Sequence, residues 1–210
     1  VGNEWGVDDE TAKVMRANLE ALSAGPGDDA GGHVQECPEA PWWRHADAMT
    51  MTIVVGAEVS TVAEALGHDL AAMERMLVLE APCEEGASPL ALFGTGGAVA
   101  IVEPNGWTTV QPDVVTILSR LGPTVALYWN VNLLSRFVVA HNGEIVRDFD
   151  PVIDGGAGTG TPLPEETGVD WALDPIATAA ALQSRVTNVH LTRAEVFGTP
   201  HPTTTVPWPL

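Results

Sequence analysis

The sequence predicts an α+β fold: a mixed, mostly antiparallel sheet of five to six strands with helices packed on one face. Three observations carry this. Short β-branched runs recur between Met49 and Phe149, turn residues separate them at hairpin spacing, and apolar stripes of helical period fall near 61–73, 112–121 and 175–185.

Asp8, Asp9 and Glu10 precede Val14, Met15, Leu19 and Leu22, which share one face of a helix whose acidic start suits its dipole. The run from Gly25 to Gly32 breaks that helix, and weak order is expected from about 24 to 39. Met49 to Ala57 alternates and reads as a strand. Thr61 with Glu64 predicts a capping box on a short helix that Gly67 stops. Residues 69–80 read equally as helix or as a strand at Met76–Leu79. Leu90–Phe93 and Ala98–Glu103 are strands flanking Gly94-Thr95-Gly96-Gly97. Pro104-Asn105-Gly106 is a turn, and Pro112-Asp113 opens a helix striped by Val114, Ile117, Leu118 and Leu121.

A three-strand meander follows at 124–129, 133–140 and 144–149, its last turn marked by Asn142-Gly143, both of which tolerate positive φ. Residues 154–168 read as a surface loop. Asp174-Pro175 begins a helix to about Arg185, and Thr192 with Glu195 begins another. The chain thus divides into an acidic N-terminal helix and loop (1–40), one α+β domain (41–198) and a Pro-rich extended tail (199–210).

At 210 residues with 45% hydrophobic and 18% charged content, the composition is that of one globular domain. The formal charge of −19 argues against nucleic acid and anionic membrane as partners and favours basic partners or metal ions, with solubility as the plainer reading. No apolar run approaches the ~18 residues that span a bilayer, and Val1 to Asp9 lacks the features of a signal peptide. A cytoplasmic setting is expected, with Cys37 and Cys83 read as free thiols although a pair stays open.

Catalytic patterns are not recognisable. The Gly94–Gly97 run lacks the Lys-Ser/Thr of a phosphate loop and reads as a hairpin. Histidines 33, 45, 68, 141, 190 and 201 are scattered. His33, Cys37 and His45 offer three zinc ligands without a fourth, and Asp148, Asp150 and Asp154 read as a solvated strand end. No metal, cofactor or catalytic residue is assigned. Trp107 and Trp129 are expected to be buried, whereas Trp42-Trp43, between Pro41 and Arg44, reads as an accessible partner-binding pair.

The stretch Val99-Ala100-Ile101-Val102-Glu103-Pro104-Asn105-Gly106-Trp107 is distinctive. So is Tyr128-Trp129-Asn130-Val131-Asn132, followed by Arg136-Phe137 and Phe149-Asp150-Pro151. In that order they resemble an actinobacterial family known as domain of unknown function 6461, most clearly over 50–151. The resemblance implies an α+β fold and a bacterial cytosolic setting. It carries no activity and no catalytic residues.

Read directly, Glu103, Asn105, Asn130 and Asn132 suit turn-fixing hydrogen bonds. Alternatively Glu103, Trp107, Asn130, Asn132, Arg136 and Asp150 converge at one end of the sheet as a polar pocket with an aromatic wall. The leading functional reading is a non-catalytic interaction protein, of immunity or regulatory type, whose acidic surface meets a basic partner. An accessory subunit of a larger assembly or phage particle, and a metal-dependent hydrolase using Glu103 and Asp150, are the alternatives.

Overall fold

β1 (Ala48–Val55) lies at the middle of the sheet and is buried on both faces, with Met49, Met51 and Ile53 on one and Thr50, Thr52 and Val54 on the other. A computed structural model describes residues 46–83 and 85–209. The expected N-terminal helix and loop, Trp42, Trp43, Cys37, His33 and His45 lie outside the described residues.

β1 leads to helix α1 (Val59–Ala65) and the short strand β2 (Glu74–Met76), then to β3 (Ala87–Thr95) and β4 (Ala98–Pro104). Helix α2 (Pro112–Leu118) precedes the meander β5 (Thr124–Asn130), β6 (Ser135–His141) and β7 (Glu144–Phe149). The two-residue β8 (Thr159–Gly160), helices α3 (Pro175–Thr187) and α4 (Arg193–Gly198), and β9 (His201–Pro207) complete the order. Every strand pairing is antiparallel, in the order β2-β9-β3-β4-β1-β5-β6-β7-β8.

The sheet therefore has nine strands, not five to six. β2 and β8, of three and two residues, are too short to show a period of two. β9 is the larger surprise, since Pro200, Pro202, Pro207 and Pro209 mark this segment as unfit for a sheet interior. The register explains it. Residues 201–203 pair with β2 and residues 203–207 with β3, so only Thr203 is paired on both sides. Each proline within the strand has one flank unpaired, where a missing N–H matters least. The segment set apart as an extended tail is thus extended and built into the sheet.

Helices cover both faces rather than one. α1 and α2 pack with Val54, Leu90, Leu92, Val99 and Ile101 on the first face. α3 and α4 lie on the second, against Met51, Ile53, Val125, Leu127, Trp129 and Phe137. Gln183 is buried on α3 and donates from Nε2 to the carbonyls of Met51 (2.9 Å) and Val125 (3.0 Å), fastening the helix across β1 and β5. A helix stripe alone says nothing about which side of a sheet it will cover.

The hairpin readings hold. Asn142 and Gly143 (φ 53° and 83°) and Gly96 and Gly97 (φ 56° and 79°) form two-residue turns with both central residues left-handed. The Thr192–Glu195 capping box forms on α4. The Thr61–Glu64 box does not, because α1 starts earlier, at Val59, with Glu58 as an unbonded N-cap.

Candidate functional site

Four strands bring their polar ends to one edge of the first face. Register places Glu103 opposite Thr50, Thr50 opposite Tyr128, and Tyr128 opposite Arg136, a row of side chains on β4, β1, β5 and β6. The candidate residues therefore share one end of the sheet, but they do different things there.

Glu103 is fully buried. Its carboxyl accepts from the backbone N–H of Thr108 (3.0 Å) and Thr109 (2.8 Å) and from the Thr109 hydroxyl. Burial pushes its pKa up, and these bonds hold it partly back. The chain from 104 to 110 is folded around this carboxyl. Asn105 turns it with φ 57°, the Gly106 carbonyl accepts from Thr50 Oγ1 (2.6 Å), and Thr109 Oγ1 meets Thr52 Oγ1 at 2.9 Å. Gly106 has no room for a side chain. A Cβ there would collide with Ser88 Oγ and stand 2.9 Å from Glu103 Cβ and Oε2. Glu-Pro-Asn-Gly-Trp is thus a knot closed over a buried carboxyl, and Glu103 is closed to any ligand in this conformation.

Trp107, at the surface end of the knot, is half-buried rather than buried, and its ring stacks on Trp208 at 5.2 Å. Trp129 is buried as expected, its indole N–H donating to the Ala46 carbonyl (3.2 Å). Arg136 is half-exposed and forms a two-pronged pair with Asp148 at 2.9 and 2.6 Å, and that pair raises its pKa.

Asn130 organises the β5–β6 turn. Its Oδ1 accepts from the N–H of Asn132 (2.9 Å) and Leu134 (3.1 Å), while its Nδ2 donates to the Tyr128 hydroxyl (2.9 Å). Asn132 itself is exposed and contributes its backbone N–H. Between them Leu133 adopts φ 61°, a left-handed conformation that a side chain branched like leucine resists. Its neighbours Val131 (62% exposed) and Leu134 (49%) stand in solvent.

Asp150 holds a second turn against this one. Its carboxyl accepts from the Ser135 hydroxyl and from the N–H of Val152 (2.8 Å) and Ile153 (3.0 Å), leaving Ile153 exposed. Asp154 closes the same turn by accepting from the Asp150 N–H (2.8 Å). Among the described residues no three His, Cys, Asp or Glu side chains gather as a metal ion would require.

Behind this end, buried Arg147 binds Glu166 through Nε (2.8 Å) and Nη2 (2.9 Å) and lies over the Phe149 ring. Burial alone would raise the Glu166 pKa, yet the Arg147 guanidinium and the Leu163 N–H hold it below the ordinary range. The 150–168 segment is thereby clasped to β7.

Residues 42–208 match a family of unknown function, DUF6461. The chain belongs to the DUF6461 family. No curated protein and no solved structure matches it. In this DUF6461 chain the Glu103–Trp107 knot and the Tyr128–Asn132 turn account physically for the two sequence stretches that first suggested the family. Sequence reading placed Leu133 and Leu134 in a strand over 133–140, which instead begins at Ser135, and passed over Ile153, because an apolar side chain in a turn leaves no periodic trace.

Two outcomes follow from the knot. Gly106→Ala should lower unfolding stability by about 3 kcal/mol in chemical denaturation, whereas Asn105→Gly, which suits the left-handed turn, should change it little. The second concerns pH. A raised Glu103 pKa means that the folded state holds a proton the unfolded chain releases, so its contribution grows as pH falls toward the ordinary carboxyl value. His201, Glu166 and Glu195 shift downward and act in the opposite sense. Wild-type stability minus that of Glu103→Gln should therefore increase from pH 8 to pH 5, and a flat difference would show that Glu103 remains charged in its enclosure.

Proposed function

We propose that this chain is a non-catalytic interaction protein that docks a basic protein partner on the β5–β6 and 150–154 turns. The observation that carries the reading is Leu133. The turn holds a leucine in a left-handed conformation, and Asn130 locks it there with Val131 and Leu134 turned outward. Such strain persists where the surrounding bonds over-determine it, and it concentrates at functional surfaces.

Val131, Leu134 and Ile153 are exposed apolar side chains on two turns joined through Ser135 and Asp150, of the kind that anchors a partner, and acidic residues lie on the same turns and strand ends. Among these are Asp47, exposed one residue before the Ala48–Asn130 pair, and exposed Asp154. Together with the −19 charge, this complements a partner bearing an apolar residue amid lysines and arginines. Immunity-type and regulatory roles both fit this surface. The hydrolytic alternative is less favoured, because the Glu103 and Asp150 carboxyls are already engaged by the protein's own donors. An accessory subunit would use the same side chains in a permanent contact of low salt sensitivity.

Affinity capture from the native host at low salt, eluted by a salt step, tests this with the double variant Val131→Asp/Leu134→Asp. The expected result is a basic partner retained by the wild type, released by salt and lost in the variant at unchanged melting temperature. Equal capture by the variant, or retention insensitive to salt, would overturn the reading. Leu133→Gly should meanwhile stabilise the fold by about 0.5–1 kcal/mol in denaturation while weakening partner binding through a looser turn.

A further inference from the structure

A cleft of about 470 Å³ lies at the opposite end of the sheet, within the range of small-molecule sites. Its origin is the proline in β9. The β3–β9 ladder stops at Ala91–Thr203, so Leu92 to Gly94 continue without a β9 partner where Pro202 offers no N–H. The strands separate, and α1 and α4 roof the two sides of the gap.

The lining is of two kinds. Val59, Leu70 and Leu92 form an apolar wall, with Gly94 leaving it open. Arg75, Glu195 and His201 supply the polar lining. His201 is stacked on Phe93 at 4.0 Å, and its Nε2 meets the Glu195 carbonyl at 2.6 Å. Burial, with the Arg75 charge nearby, lowers its pKa, and Nε2–H donates to that carbonyl, which can only accept. The Glu195 carboxylate accepts from the Thr192 N–H and hydroxyl and from the Thr95 hydroxyl, so its capacity is largely used within the protein.

Arg75 differs. It is exposed, and its one hydrogen bond among the described residues runs from Nη2 to the Pro200 carbonyl at 2.8 Å. That bond takes one Nη2–H and orients the guanidinium, leaving the second Nη2–H and the donor beside it on the same edge for a ligand. A guanidinium so held prefers a carboxylate, which can take two parallel bonds. We infer that this cleft binds a small carboxylate with a compact apolar body, its anionic end on Arg75 and its body against Val59, Leu70 and Leu92. The unpaired strand edge at Leu92–Gly94 supplies further backbone hydrogen-bonding groups. The site is separate from the turn-bearing end and stands whether or not a protein docks there.

Titration of the full chain, isotopically labelled, with 3-phenylpropanoate and octanoate tests it by amide NMR shifts. The two neutral amides serve as controls. Both acids should perturb Leu92, Phe93, Gly94 and His201 with saturation at or below millimolar concentration, and the amides should bind on the order of tenfold more weakly. Arg75→Gln should bring acid down to amide, and Gly94→Leu, where a Cβ would sit 3.7 Å from Val59 Cγ2 in ordinary contact, should fill the cleft and abolish both. The inference fails if these amides do not move, if acid and amide bind alike, if Arg75→Gln has no effect, or if the shifts map instead to Asn130–Leu134.

Discussion

A buried carboxyl organises the first face of this molecule. Among the described residues Glu103 has no counter-cation. It is held by two backbone N–H groups and a hydroxyl, all supplied by the residues that immediately follow β4. Taking a carboxyl out of water without such donors is prohibitive, so the chain between Pro104 and Val110 has little freedom but to wrap around it. Once wrapped, Val110 seals the apolar cluster with Val115, Ala126 and Val138, and Trp107 is delivered to the surface. Thr50 and Thr52 on the central strand then tie the wrapped segment to the sheet.

The same economy recurs at the second polar end. Asn130 and Asp150 each satisfy several orphan N–H groups of their own turns, and the Ser135 hydroxyl joins the two. Arg147 and Glu166 do for the long 150–168 connection what Glu103 does for the 104–110 segment: a buried polar group, fully partnered, fixes irregular backbone that has no ladder of its own. Among the described residues the buried polar groups at this end of the sheet act mostly as fasteners.

The sequence disclosed what depends on near neighbours. The hairpins at Asn142-Gly143 and Gly96-Gly97, the capping box at Thr192 and the meander follow from local backbone preference. What depends on distant partners was not visible. Nothing local announces that residues 203–207 pair with β3 more than a hundred residues earlier, that α3 takes the face opposite α2, or that Gln183 is buried on two strand carbonyls. The grouping of Glu103, Asn130, Arg136 and Asp150 at one sheet end was readable because each ends or begins a strand of predictable direction. Their roles were not, since the same carboxyl in an Asx turn and in a pocket leaves the same letter in the chain. The Arg75 cleft could not be found at all, because it arises where a ladder stops.

The position of β9 has a bearing on biosynthesis. β3 lacks its outer neighbour until residue 207 has left the ribosome, so most of the chain must wait with a long, apolar strand edge uncovered. Closure of that edge is therefore dominated by contacts distant in sequence, and loss of residues 201–207 would yield a species prone to self-association rather than a merely shortened protein.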